Sequence, residues 1–396
     1  MANVNLKPAL EFQRGLSIFS ILFACVLIYS NYYYYYFFEF SQGLSSAPGQ
    51  FFVLKSFGVA FFFLVFFYPF RFRRLGLDDL ILILFLFVCF FYYLFKRFYV
   101  GQGAALFGNF LIPACIFVFF ESRVNSSSLR FFFDVSVFLV VMQVMIDCLI
   151  LWGGISLWDN LAFVGGVGNP SSFGVICVIL FAYVLLLKKI GFICFLQAAI
   201  LAIGVIGSKS LFCVVALVFV FLCVIWFYSK SIFLFSLLLS PVVLGLIWGF
   251  LLPEHVKFKL FSLYGLLVDG DISGTSQSIS LRYLIHEYAI EHFAENYFYD
   301  TFFGYLDLFY YGVDSQVLSF IGSVGLLPAM IFVLWNFYLI FSNYLLKGEG
   351  GYFLLLSSLV FFFLIFSNRI FDYYPVAFLF FILMFFRDRI AEFERR

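Results

Sequence analysis

Charge is scarce in this sequence: Asp, Glu, Lys and Arg together make up 11% of its 396 residues. A soluble domain usually carries about 25%, because its surface must face water. With 65% hydrophobic residues and a mean hydropathy of +1.08, the chain has too few polar side chains to cover such a surface. That excludes an ordinary soluble fold and leaves lipid as the medium. The period-2 alternation of barrel strands is also absent. The apolar runs are instead about 15–25 residues long, the length at which a helix crosses a hydrocarbon core of about 30 Å. Hydrocarbon offers no hydrogen bonds to backbone groups, so each run must satisfy its own. The expected fold is therefore all-α, a polytopic transmembrane helical bundle of about 12 spans with both termini cytoplasmic.

Other absences narrow the chemistry. There is no Walker-type glycine loop, no G-x-G-x-x-G after a strand, no H-E-x-x-H and no paired-cysteine motif. ATP-driven work and a structural metal are unsupported, and no cofactor is implied. A net charge of +1 with no long basic run gives no sign of nucleic-acid binding. The eight cysteines all fall inside apolar segments, so no disulfide framework is readable, and they read as small buried hydrophobes. No cleavable signal peptide is evident, since the first apolar segment is long enough to be retained as a span. The 66 phenylalanines and the run Tyr32 to Tyr36 are read as biased composition plus anchoring at the membrane interface.

Spans are expected at about 16–36, 51–70, 78–95, 105–120, 131–152, 173–187, 191–206, 211–227, 231–252, 317–341, 352–366 and 375–386. They group as N-terminal helices over 1–152, central helices with an outer loop over 153–252, a large periplasmic loop over 253–316, and C-terminal helices over 317–396. With both termini inside, fifteen of the 23 Lys and Arg residues fall in inside segments and seven outside; Lys55 lies within a span. This asymmetry is that of the positive-inside rule. Lys188 and Lys189, between two spans, need do no more than stop a helix.

The working face is expected outside, where the long loops lie. The stretch 253–316 holds all three histidines, His255, His286 and His292. Within it Gly270 to Ser276 reads as coil, and a helix is expected from about Ser280 to Tyr297. On that helix Arg282, His286, Ala289 and Phe293 share a face, while Glu287, Glu291 and Glu295 form a separate, solvated stripe. Two acids, Asp134 and Asp147, fall within the 131–152 span, and both read as lying near its ends rather than as a site.

Four segments carry a family resemblance, over roughly residues 165–386. They are Gly168-Asn169-Pro170-Ser171-Ser172-Phe173-Gly174, then Ile206-Gly207-Ser208-Lys209-Ser210, then Ser280-Leu281-Arg282 followed by a helix and Phe303-Gly304-Tyr305. The last is Val313-Asp314-Ser315-Gln316 with Gly322-Ser323-Val324-Gly325-Leu326. In order and spacing they resemble the O-antigen polymerase (Wzy) and O-antigen ligase superfamily of membrane glycosyltransferases. Two departures are visible. Lys209 stands where the family pattern has an arginine, and Asp314-Ser315 stands where ligases usually carry His-Asn. The second departure favours the polymerase branch.

The resemblance implies a metal-independent transferase of the bacterial inner membrane, working on undecaprenyl-diphosphate-linked glycan. A growing chain would pass to the free-end hydroxyl of a single lipid-linked repeat unit, building O-antigen or capsule. Cleaving the sugar–phosphate bond releases a diphosphate, which needs cationic donors for its developing charge, and arginine can bind phosphate oxygens in pairs. Arg282, Lys209 and Arg369 are the expected diphosphate ligands. His286 or Glu287 is the expected general base, and Asp314 would orient the acceptor sugar. Each has an ordinary reading beside it: Lys209 as a snorkelling lysine, Asp314 as a helix cap, Arg369 as interface decoration. A chain-length regulator protein is the expected partner besides lipid. The alternatives are a ligase that attaches glycan to lipid A core, and a transporter or flippase for lipid-linked oligosaccharide. A transporter tends to show internal repeats and broken helices at the bilayer midplane, and no convincing repeat between the halves is seen here.

Overall fold

The computed structural model describes residues 6–34, 36–37, 49–68, 70–75, 77–100, 110–122, 124–158, 161–231 and 315–395, with eight positions between 257 and 291. Among these residues the regular structure is helical, and one isolated bridge joins Phe72 to Phe120. The helices are α1 (Leu6–Tyr29), the single turn α2 (Asn31–Tyr34), α3 (Gly49–Phe67), α4 (Leu77–Val100), α5 (Ile112–Phe119), α6 (Ser126–Trp152) and α7 (Pro170–Leu187). There follow α8 (Phe192–Gly207), α9 (Leu211–Tyr228), α10 (Gln316–Val324), α11 (Leu326–Tyr344), α12 (Gly348–Ile365), α13 (Tyr374–Phe385) and α14 (Arg387–Ala391). A helix stands at each expected span that falls on described residues; the span expected over 231–252 lies outside them from residue 232.

Five of these helices, α6, α7, α9, α11 and α12, are long and apolar enough to cross a membrane. Helix α7 is apolar on every side and buried around its whole circumference, as such a helix must be when others surround it. Helices α6, α8, α9 and α12 pack on it. Helix α8 does the reverse: Phe192, Ile193 and Phe195 are all more than 70% exposed, a face suited to lipid. Lipid tails are as apolar as leucine, so helices associate here by close packing rather than by hydrophobic exclusion. Small residues provide that approach. A Cβ on Gly204 would sit 2.6 Å from Val144 Cγ2, and one on Gly174 would sit 2.8 Å from Ser208 Oγ.

The phenylalanines do more than anchor an interface. Phe62 stacks on Phe66 at 4.2 Å and meets Phe378 at 4.7 Å, while Phe117 lies 5.1 Å edge-on to Phe67. Phe371 is ringed by Phe110, Phe332, Phe361 and Phe380 at 4.8–6.0 Å. Offset and edge-to-face ring pairs contribute about 0.5–1.5 kcal/mol beyond area burial, which gives lipid-embedded helices a reason to associate.

Two differences from expectation stand out. The span expected at 317–341 is broken at Gly325, whose φ of 93° and ψ of 169° belong to a region open essentially to glycine alone. Gln316 Oε1 accepts from Phe371 N at 3.0 Å, and the Phe332 ring lies 5.8 Å from the Phe371 ring. In a straight helix those positions would stand about 24 Å apart. Helix α10 therefore folds back beside α11. Lys188 also does more than stop a helix: its Nζ lies 3.1 Å from Asp134 and 3.1 Å from Gln197 Oε1.

The bundle has two distinct ends. At one, Tyr374 at the start of α13 donates to Ile28 O at the end of α1, at 2.9 Å. At the other, the tail from α14 onward straps the loops: Arg389 bonds Ser122 O and Val124 O, and Arg395 bonds Leu185 O and Lys188 O.

Candidate functional site

The chemistry-bearing residues gather at the first of these ends, which begins with a buried carboxylate. Asp147 lies five residues before the end of α6, so about 7.5 Å below it. Its Oδ2 accepts from Val164 N at 2.9 Å and Gly165 N at 2.8 Å, and its Oδ1 accepts from the Tyr33 hydroxyl. One turn lower, Gln143 Oε1 accepts from Gly166 N at 3.2 Å, while its Nε2 donates to Tyr29 O at 2.7 Å. Residues four apart share a helix face, so Gln143 and Asp147 together receive three successive backbone N–H groups. A chain that dips back into an apolar bundle needs such partners, because each unsatisfied group there costs several kcal/mol. Gly166 fits only as glycine: a Cβ would lie 1.8 Å from Tyr29 O.

The same segment then launches α7. Gly168 takes the left-handed conformation at φ 82°, the Asn169 side chain accepts from Ser172 N at 3.0 Å, and Pro170 occupies the first helical position. This is the cap-then-proline start expected of Asn-Pro.

A second turn lies against the first. Helix α8 ends at Gly207, whose carbonyl accepts from Phe163 N at 2.9 Å. Ser208 Oγ bonds Val205 O at 2.7 Å, and Lys209 N bonds Ile206 O at 3.0 Å. Lys209 holds φ at +55°, a conformation that costs a residue with a Cβ about 1–2 kcal/mol. Burial lowers its ammonium pKa below the ordinary lysine range. Ser210 follows and opens α9, with its Oγ 3.4 Å from Ser171 Oγ on the first turn of α7.

The third turn runs from Ile365 to Tyr374. Arg369 pairs with Asp372 across a 3-10 turn (Ile370–Asp372), and both side chains are mostly buried, at 18% and 17% exposure. Burial raises the Asp372 carboxyl pKa, and the neighbouring guanidinium draws it back down. The turn is pinned to α10 through the Phe371–Gln316 bond, and Ser315 Oγ lies 3.5 Å from Ile365 O.

Of the expected site residues, Lys209 and Arg369 come to the same end. Helix α7 touches both turns, with Gly174 against Ser208 and the Ile370–Asp372 turn packed on the same helix. Arg369 is engaged by Asp372. Glu287 is half-buried in helical backbone. Arg282, His286 and Asp314 lie outside the described residues, as do the Phe303-Gly304-Tyr305 segment and most of the expected loop helix. The cap of α10 is Ser315, whose side chain accepts from Leu318 N.

The residues not foreseen are Gln143, Tyr33, Gln316 and Asp372. A Gln and an Asp four apart in a mostly apolar helix were the available signal for the first, and Arg369 three residues away was the signal for Asp372; the partners of Tyr33 and Gln316 lie far away in sequence. Among the described residues no group of three His, Cys, Asp or Glu side chains is placed to hold a metal ion. Comparison with protein-family models finds no match to this chain, and comparison with curated proteins finds no similar sequence.

Proposed function

We propose that the chain is a polyprenyl-diphosphate-dependent glycosyltransferase, a polymerase that joins undecaprenyl-diphosphate-linked repeat units into a surface polysaccharide. In this reading about twelve spans cross the bacterial inner membrane, both termini are cytoplasmic, and the Lys209 end faces the periplasm. The observation that carries it is the Lys209 turn: a lysine kept in left-handed backbone, clamped between α8 and α9, at the end of the bundle that also holds Arg369. Strain of that kind persists where surrounding structure enforces it, and it clusters at functional positions.

The chemistry asked of the site is a displacement at the anomeric carbon of the growing glycan. The free-end hydroxyl of one lipid-linked repeat attacks, its proton passing to His286 or Glu287. The bond from the anomeric carbon to the diphosphate breaks, and its electron pair leaves on the lipid diphosphate. Fixed cations hold the donor's diphosphate and then take up the charge that develops as the bond breaks. Arg282, Lys209 and Arg369 supply those cations, and Asp314 orients the acceptor. A chain-length regulator would act as a protein partner.

Deletion of the gene tests the class of activity. A polymerase leaves lipopolysaccharide or capsule carrier capped by a single repeat. Long polymer retained on the carrier lipid would point instead to a ligase, and loss of lipid-linked sugar from the outer leaflet to a flippase. Complementation with Arg282→Ala or Lys209→Ala should leave single repeats only; a normal ladder from both variants would overturn the assignment of these cations.

A further inference from the structure

At this end the candidate phosphate ligand Arg369 is already matched to a carboxylate, that of Asp372. Such a pair is poor evidence of stabilisation. Taking both charges out of water costs several kcal/mol per ion, and apolar replacements are often neutral or better. Its surroundings nonetheless hold it closely. The two residues flank a 3-10 turn, the backbone N–H of Phe371 between them is bound by the fully buried Gln316 at 3.0 Å, and the Phe371 ring is enclosed by four others. Neither backbone nor ring leaves the turn freedom to swing.

A guanidinium carries five N–H donors in a planar fork. A carboxylate can take one edge of that fork, and here it meets Nη2. A contact at Nη2 from a turn that is itself tied down limits the directions in which the planar fork can point. Around bound metal ions, losing the partner that orients a ligand typically costs about 10–100-fold in affinity or activity, and a group that orients a phosphate ligand acts on the same principle.

Building on the proposed function, we propose that Asp372 is a positioning residue: it holds the Arg369 guanidinium at Nη2 so that the fork is presented to the lipid diphosphate. Gln316 completes the arrangement by fixing the turn to the start of α10. Asp372 itself touches no reacting atom. The turn and α10 therefore form one rigid support directly after the 253–314 segment.

The test uses the full-length protein in nanodiscs with a lipid-linked repeat as substrate, and undecaprenyl diphosphate alone as an activity-independent probe. Asp372→Asn should raise KM for the lipid-linked donor and weaken undecaprenyl diphosphate binding on the order of tenfold, as loss of an orienting partner does elsewhere. The effect on kcat should be smaller, and Asp372→Glu should recover part of the loss. The exchange Arg369→Asp with Asp372→Arg keeps an ion pair across the turn, so it should restore the thermal midpoint yet bind the probe no better than Arg369→Ala. Full recovery of binding by the exchanged pair, or an unchanged KM in Asp372→Asn, would show the pair to be structural and overturn the proposal. Wild-type protein that neither binds undecaprenyl diphosphate nor extends a glycan would instead sink the functional reading beneath it.

Discussion

Lys209 is a residue whose backbone and side chain pull in different directions. Its φ of +55° would suit glycine, which adopts that region without a Cβ clash. Lys209→Gly should therefore leave the thermal midpoint in detergent at or above the wild-type value, with relief of up to about 1–2 kcal/mol, while polymer collapses to single repeats. A midpoint well below wild type would mean that the side chain supports the fold rather than the chemistry. Asp147 makes the opposite prediction. Asp147→Ala strips acceptors from Val164 N, Gly165 N and the Tyr33 hydroxyl, and each buried donor left unsatisfied costs about 1–3 kcal/mol. Protease should then cut within 153–168 where it spares the wild type, and equal resistance in the two would refute the anchoring role. Asp147 does lie near the end of its helix, as expected, and from there its carboxylate clamps the 164–165 backbone.

At the scale of elements, the informative feature is the break between α10 and α11. Gly325→Ala places a Cβ where φ is 93° and ψ 169°, which should cost on the order of 1–3 kcal/mol. Gly191→Ala is the control. Its φ of −174° is ordinary extended backbone and no atom lies within 4 Å of the added Cβ, so its midpoint should not move. Equal shifts in both variants would contradict the folded-back geometry of α10. The apolar pattern runs through Gly322-Ser323-Val324-Gly325-Leu326 with little interruption, and that is why a continuous span was expected. A single backbone conformation, and not hydrophobicity, divides it. The Gly207-Ser208-Lys209-Ser210 break was legible because it is polar between two long apolar runs.

Across the whole molecule the two ends differ in kind. One carries the inward-dipping turns with Lys209 and Arg369; the other is bound by the tail. Arg395 reaches the carbonyls of Leu185 in the last turn of α7 and of its C-cap Lys188, both at 2.9 Å, and its own N–H meets Glu349 at 2.6 Å. A cation at a helix C-terminus also complements the helix dipole, by about 0.3–1 kcal/mol where exposed. Removing residues 387–396 should lower the thermal midpoint by several degrees and open 120–125 and 188–191 to protease, without altering undecaprenyl diphosphate binding at the far end. Loss of binding with unchanged stability would show that the two ends are coupled.

The medium and the helices were decided by composition. A chain with 11% charge and apolar runs of membrane length must satisfy its backbone within helices, so α3, α7, α8 and α12 begin and end within a few residues of where hydropathy places them. Asn169-Pro170 likewise starts a helix for local reasons that any neighbour would leave intact. Which polar side chains meet was decided only in three dimensions. Tyr33 finds Asp147 across 114 residues, and Gln316 finds Phe371 across 55. Such pairs arise from how helices lie against each other, and close packing at glycines and rings sets that arrangement with no periodic trace along the chain.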